Sequence, residues 1–213
     1  MLARRVPDVT AMLDPAAKGW QKVDAETIEL AGMPLHLQTS RYVRTVWADK
    51  LIGKVRAMSV RAAHDGEQLA FLLEWNDGTQ NVDFGERQFP DAAAVVLPAN
   101  GKAPPLATMG NAQSPVNEWF WRADLAEPQN RVARGLGTDK PSADASIAGA
   151  AKWNDGRWSL VLSRKLRAAG KETTKLSAGK STNVAFSVWD GGNQERGDLH
   201  SYSREWRDLT LEP

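Results

Sequence analysis

The chain contains no cysteine. That absence removes disulfides, thiolate-bound zinc, iron–sulfur ligation by this polypeptide, and thioether attachment of a haem through a C-x-x-C-H motif. Long hydrophobic runs are missing too. None approaches the ~18 apolar residues of a membrane-crossing helix, so no membrane span is expected. Neither sign of charge dominates: 27 Lys plus Arg against 26 Asp plus Glu leave a net charge of +1. This balance argues against nucleic acid or an anionic membrane as the main partner. Catalytic signatures are also wanting. No glycine loop suited to phosphate, no Ser-His-Asp motif and no paired-carboxylate motif stands out, so the chain reads as non-catalytic on its own. Arg4 and Arg5 are followed by Pro7 and Asp8 rather than by a signal-peptide apolar segment. A mature exported form, a cytoplasmic chain and a chain exported with a partner are all compatible with that start.

What is present points to β structure. The 213 residues suit one well-filled core, and no mid-chain linker divides two blocks of regular pattern. Short apolar stretches recur at roughly ten-residue spacing, separated by turn signals such as His64-Asp65-Gly66-Glu67, Asn76-Asp77-Gly78 and Asn154-Asp155-Gly156. The expected fold is mainly β: an immunoglobulin-like or lectin-like antiparallel β-sandwich with a few short helices. Residues 1–213 form one domain, with residues 1–40 as an irregular segment packed on it and Trp20 as an anchor. Alternation is expected from Tyr42 onward. The stretch from Phe89 to Val96 begins Pro90-Asp91 before an alanine-rich run and slightly favours helix. Asn100 to Ser114, rich in Gly, Pro and Asn, is expected as loop. In the following strand Asn117, Trp119 and Trp121 alternate with Glu118, Phe120 and Arg122.

The richest segment runs from Val184 to Ser201. Val184 to Val188 reads as a strand covered on both faces. Asp190-Gly191-Gly192 turns the chain, and a polar loop then delivers His200, one of only three histidines. Upstream, Met109 lies in the loop before the Trp119-Phe120-Trp121 strand. A thioether and an imidazole on two loops beside aromatic strands form a donor pair that a low-spin haem iron accepts. His36 and His64 read as surface residues, Met33 and Met58 as core filler.

The chain resembles the haem b-binding gamma subunits of periplasmic molybdenum enzymes, the group of ethylbenzene dehydrogenase, dimethylsulfide dehydrogenase, selenate reductase and chlorate reductase. Four segments carry the resemblance in order. They are Asp14-Pro15 with Trp20; Met109-Gly110 with Pro115-Val116-Asn117 and Trp119-x-Trp121; Asp155-Gly156-x-Trp158 leading to Arg164-x-Leu166; and Val184 through Glu195-Arg196-Gly197 to Ser201, ending near Trp206. The resemblance implies haem b bound non-covalently at one end of the sandwich, with Met109 as one axial ligand. At the second ligand position the family's best-known members look to carry lysine, and this chain carries His200. Arg122, Arg164 and Arg196 are then candidates for the propionates, and Trp119, Trp121 and Trp189 for packing on the porphyrin. The implied role is single-electron transfer in the periplasm, between the iron–sulfur subunit of a complex that also has a molybdenum-containing catalytic subunit and a soluble cytochrome. The competing expectation is a carbohydrate-binding sandwich module, because nine tryptophans could serve as platforms for sugar rings and the Asp-Gly-x-Trp turn occurs there too.

Overall fold

The structure, a computed structural model, describes residues 1–143 and 145–213. Its strands are β1 (Leu2–Arg5), β2 (Glu26–Gly32), β3 (Ala57–His64), β4 (Gln68–Asn76), β5 (Ala92–Pro98), β6 (Val116–Arg122), β7 (Gln129–Ala133), β8 (Lys140–Pro141), β9 (Ala148–Asn154), β10 (Arg157–Lys165), β11 (Ser181–Trp189), β12 (Ser201–Ser203) and β13 (Arg207–Leu211). They hydrogen-bond in the order β8-β7-β6-β5-β11-β12-β2-β3-β4-β10-β9, with β13 joining β11 and β1. Pairing is antiparallel except at β1, which runs parallel to both β13 and β3. Among the described residues no helix is long and apolar enough to cross a membrane.

Two strands fold this path into a β-sandwich. Ser181–Val184 of β11 pair with β13 in the back layer, while Ala185–Trp189 pair with β5 in the front layer. β2 does the same, pairing with β3 through Glu26–Glu29 and with β12 through Leu30–Gly32. A strand that changes sheets in mid-course forms a corner and joins the layers.

Period-two alternation then sorts side chains into three apolar layers. Leu69, Phe71, Leu73 and Trp75 of β4 meet Val95 and Leu97 of β5, Trp119 and Trp121 of β6, and Phe186 of β11 in the central core. The opposite face of the back sheet buries Ala70, Leu72 and Val161 under Val9, Met12 and Trp20. On the opposite face of the front sheet, Ala92, Ala94, Phe120, Ala185 and Trp189 lie with Leu106 and Met109. β5 and β11 are therefore covered on both sides, which is why they are nearly continuous apolar runs. The tight β9–β10 hairpin turns at Asp155 and Gly156, whose φ of 48° and 79° fit the left-handed pair of a type I′ turn.

Several local expectations are corrected. Residues 1–40 contain β1 and β2 rather than only irregular chain: Ala3, fully buried, sits where β1 fills the gap between β13 and β3. The Phe89–Val96 stretch yields β5 rather than a helix, because a strand buried on both faces has no need of alternation and its alanines fit between two covered surfaces. The stretch from Tyr42 opens in a short helix, α1 (Arg41–Val46), capped by Ser40, whose hydroxyl accepts from the Val43 amide at 3.3 Å. His64 is buried, not at the surface, because β1 and the following residues cover the end of β3. Met33 and Met58 are core residues as expected, and His36 is exposed.

A cleft shared by Met109 and His200

The outer face of the front sheet is not fully covered. Between the loop before β6 and the loop after β11 lies a cleft of about 210 Å³, open to solvent on one side. Met109, Phe120, Trp189 and His200 line it, together with Glu118, Arg122, Arg131, Glu195, Arg196 and Asp198. The volume lies below the ~300–1,000 Å³ of a typical small-molecule pocket, so a large flat ligand would project beyond the protein surface. Met109 and His200, nearly 100 residues apart in sequence, thus face one space.

His200 is held in a defined state. Its Nδ1 lies 3.1 Å from the Gly197 carbonyl oxygen. A carbonyl only accepts, so Nδ1 carries the proton and Nε2 presents a lone pair. Nε2 is buried and has no hydrogen-bond partner among the described residues. Burial pushes the imidazole down to about 4, so it is neutral at ordinary pH. The Trp189 ring lies against it with centroids 4.5 Å apart, and Trp189 Nε1 donates to the same Gly197 oxygen at 2.8 Å. The backbone is fixed as well, since the Met33 amide donates to the His200 carbonyl at 2.9 Å. A histidine whose second nitrogen is bonded to a backbone carbonyl is oriented as metal-ligating histidines usually are.

Met109 ends a short 3₁₀ turn, with φ 50° and ψ 41°. A left-handed conformation is uncommon for methionine, and surrounding contacts hold it there. Its amide donates to the Leu106 carbonyl at 3.0 Å, and its carbonyl accepts from the Gly135 amide at 3.0 Å. Gly110, at φ 87°, packs so closely that a Cβ would stand 2.9 Å from the Ser114 oxygen. The thioether is thus brought to the cleft by a loop clamped to the ends of β6 and β7.

The loop carrying His200 has its own anchor. Glu195 is buried and accepts from the amides of Gly53 (2.8 Å), Lys54 (2.9 Å) and Asp190 (3.1 Å) and from Asn193 Nδ2 (2.9 Å). These bonds tie residues 190–195 to the 53–54 segment. Burial still leaves its carboxyl above the usual range.

The remaining candidates separate by strand parity. Arg122 shares the cleft face of β6 with Glu118 and Phe120, and its guanidinium is bridged to Asp124 at 2.5 and 2.9 Å. Arg196 also borders the cleft, with its guanidinium 4.2 Å from the centre of the Phe89 ring. Trp119 and Trp121 point the other way, into the central core, and do not border the cleft. Arg164 is likewise inside: it sits 4.9 Å over Trp119 and donates to Asn117 Oδ1 at 2.8 Å and to the Thr174 carbonyl. Burial lowers it to about 10, and its task is to satisfy buried oxygens at the sandwich end. Two lining residues stand outside the candidates drawn from the sequence. The Arg131 guanidinium lies 4.7 Å over Phe120 and pairs with Asp139 at 2.5 Å. Glu118 is buried and pushed up to about 8, first by desolvation and then by Asp139. The parity that places Arg122 in the cleft would have found Glu118 and Phe120.

A family model described as ethylbenzene dehydrogenase matches residues 17–145 and 138–201. The chain belongs to the ethylbenzene dehydrogenase family. Its relatives there are heme and gamma subunits. It is 35% identical over 197 residues to the chlorate reductase subunit gamma of Ideonella dechloratans, covering 92% of this chain and 78% of that one. It is 34% identical over 200 residues to a Haloferax mediterranei protein assigned as the respiratory nitrate reductase heme subunit ORF7, covering 93% and 68%. Dimethylsulfide dehydrogenase subunit gamma of Rhodovulum sulfidophilum is 24% identical over 91% of this chain and 73% of its own. In fold, the chain is similar to a Bacteroides uniformis protein assigned as carbohydrate-binding (TM-score 0.57, 9% identity, covering 100% and 98%) and to a family 9 carbohydrate-binding module of Caldicellulosiruptor kristjanssonii (TM-score 0.51, 10% identity, covering 100% and 95%). At such identities these neighbours share the β-sandwich and nothing finer.

Proposed function

We propose that this chain is the electron-transfer subunit of a molybdenum oxidoreductase complex and holds haem b in the cleft between Met109 and His200. The observation that carries this reading is His200: a buried, neutral imidazole with Nδ1 bonded to a carbonyl and Nε2 without a protein partner, bordering the cleft that Met109 also borders. An unpaired nitrogen in a buried site costs free energy, and an iron atom would relieve that cost. The donor set suits haem b, since a chain without cysteine cannot form thioether links. Haem, when bound, supplies a one-electron iron couple, which thioether ligation tunes upward in potential.

The chain's own residues do the rest. His200 and Met109 would hold the iron through imidazole nitrogen and thioether sulfur, and the group would supply electron transfer rather than substrate chemistry. Phe120 and Trp189, edge to face with ring centres 5.5 Å apart, give the cleft an apolar floor. Arg122, Arg131 and Arg196 stand at its border as partners for carboxylates of a bound ligand. Names of relatives, as gamma and heme subunits of reductases and a dehydrogenase, support membership of a multisubunit oxidoreductase. In the proposed arrangement a molybdenum-containing catalytic subunit is joined by an iron–sulfur subunit that exchanges electrons with this one, a soluble cytochrome acts outside the complex, and the location is periplasmic.

The carbohydrate-binding alternative finds little support in the side chains. Trp20, Trp47, Trp75, Trp119, Trp121, Trp158 and Trp189 are buried, and Trp153 and Trp206 are half-buried, so no exposed tryptophan offers a platform to a sugar ring.

Absorption spectroscopy of the purified chain tests the proposal. The parent should show a low-spin haem spectrum with split visible bands on reduction. Met109→Ala should convert it to high spin, and His200→Ala should lose most of the haem. A protein that stays colourless after reconstitution with haemin, or a low-spin spectrum indifferent to both substitutions, would refute the assignment.

A further inference from the structure

Three buried carboxylates meet beside the anchor of the His200 loop. Asp77 follows β4, Asp91 precedes β5 and Asp190 follows β11, and one oxygen of each lies within 4.8 Å of those of the other two. Their exposures are 3%, 0% and 2%. Protein donors satisfy two of them. Asp91 accepts from the amides of Asn81 (2.8 Å) and Gly191 (2.9 Å) and from Trp158 Nε1 (3.0 Å). Asp190 accepts from the Asn193 amide (2.8 Å) and from Lys54 Nζ (3.1 Å). Asp77 differs: Oδ1 accepts from the Thr79 amide at 3.1 Å, but buried Oδ2 has no hydrogen-bond partner among the described residues. Its charged neighbours are Asp91 and Asp190, both repulsive, and Lys54.

The charge does not balance. One lysine, with half its side chain in solvent, faces three buried carboxylates and a fourth, Glu195, close by. Unpaired buried carboxylates are costly, and such groups are ordinarily paired, protonated or bound to metal. More oxygen gathers at the same place. A Cβ built on Gly192 would stand 2.7 Å from Thr79 Oγ1, 3.1 Å from Asn81 Oδ1 and 3.1 Å from Asp190 Oδ1. Asp77, Thr79 and Asn81 occupy alternate positions of one loop, the spacing by which calcium loops bring successive side-chain oxygens to one ion.

We propose that Asp77, Asp91 and Asp190, with Thr79 and Asn81 as auxiliary oxygens, form a binding site for a hard divalent cation, calcium in the first instance. Such an ion accepts six to eight oxygens and tolerates irregular geometry, which suits a set drawn from three separate loops. It would tie the ends of β4 and β11 to the start of β5, directly at the head of the loop that carries Glu195 and His200. The cation is a brace for the cleft and does not depend on what the cleft holds.

The test uses the full-length chain, stripped with EGTA and titrated calorimetrically with Ca²⁺, with Mg²⁺ as comparison and thermal melts in parallel. One equivalent of Ca²⁺ should bind, with Kd inside the ~10⁻⁷–10⁻³ M span of such sites, and should raise Tm. Asp77→Asn and Asp190→Asn should each weaken binding about tenfold or more, while Asp24→Asn, at a distant exposed position, binds as the parent does. Lys54→Met should tighten it, because the competing ammonium is gone. Asp77→Asn keeps the Thr79 hydrogen bond and decides the matter if Asp190→Asn does not fold. Absence of both binding heat and a Tm change at millimolar Ca²⁺ would overturn the proposal. So would Asp77→Asn that binds Ca²⁺ like the parent, or that gains stability at pH 8 with no cation response in either protein, since the three carboxylates would then share a proton instead.

Discussion

Glu118 offers the sharpest test of the electrostatics of the cleft. It is an acid buried beside Phe120, with Asp139 adding repulsion and Arg131 offsetting only part of it, and its pKa rises from 4.5 to about 8. The folded chain therefore binds this proton more tightly than the unfolded chain does. By linkage, the contribution of Glu118 to stability is greatest below about pH 4.5, falls as pH rises towards about 8, and levels off above that. At ~1.4 kcal/mol per pH unit, less the curvature at each end, the loss between about pH 5 and pH 8 is about 3 kcal/mol. Glu118→Gln keeps the shape and removes the titration, so it should be more stable than the parent by a margin that grows with pH. Urea unfolding of both proteins at a series of pH values measures this margin directly. Parallel stability curves would show that Glu118 is ionised in the folded state and that the cleft is far more polar than its lining suggests.

Two further outcomes are expected. His200, held down to about 4 by burial, has the opposite sign. The unfolded chain takes up a proton near pH 6.5 that the folded chain refuses, so stability should fall by about 3 kcal/mol between about pH 6.5 and pH 4, and His200→Gln should flatten that part of the curve. Urea midpoints across this window check it. Gly53, at φ +76°, packs with its missing Cβ only 2.3 Å from Gly32 Cα, so Gly53→Ala combines left-handed strain with a backbone clash and should cost about 3 kcal/mol or more, read as a lowered Tm.

Much of the architecture was legible because turns and alternation are local. The Asp155-Gly156 hairpin and the doubly covered Val184–Val188 strand follow from residue types within a few positions. Where reading failed, a distant partner decided the outcome. Ala92 to Val96 carry no pattern that separates strand from helix, and only the β6 and β11 neighbours make them a strand. Leu2–Arg5 become a strand because β3 and β13 leave a gap that their backbone fills. Burial of His64 follows from that same closure.

The cleft repeats this division at the scale of single side chains. Met109 and His200 were readable as a chemical pair, and their meeting in one space depends on two clamps that no local pattern announces: the Gly135 amide on the Met109 carbonyl and the Glu195 anchor on the 53–54 segment. Trp119 and Arg122 illustrate how fine the discrimination is. They are three residues apart on one strand, so strict alternation sends them to opposite faces, one into the central core and one to the cleft. Arg164 has the same parity as core-facing Leu160 and Leu162, which places it inside before any question of ligand arises. A candidate drawn from composition alone had to be filtered by face. Applied to Asn117–Arg122, that filter retains Glu118, Phe120 and Arg122 and sets aside both tryptophans, leaving a cleft built from one apolar ring, one buried acid and one arginine. Among the β6 residues it is the buried acid, not the tryptophans, that adds pH sensitivity to the cleft beside that of His200.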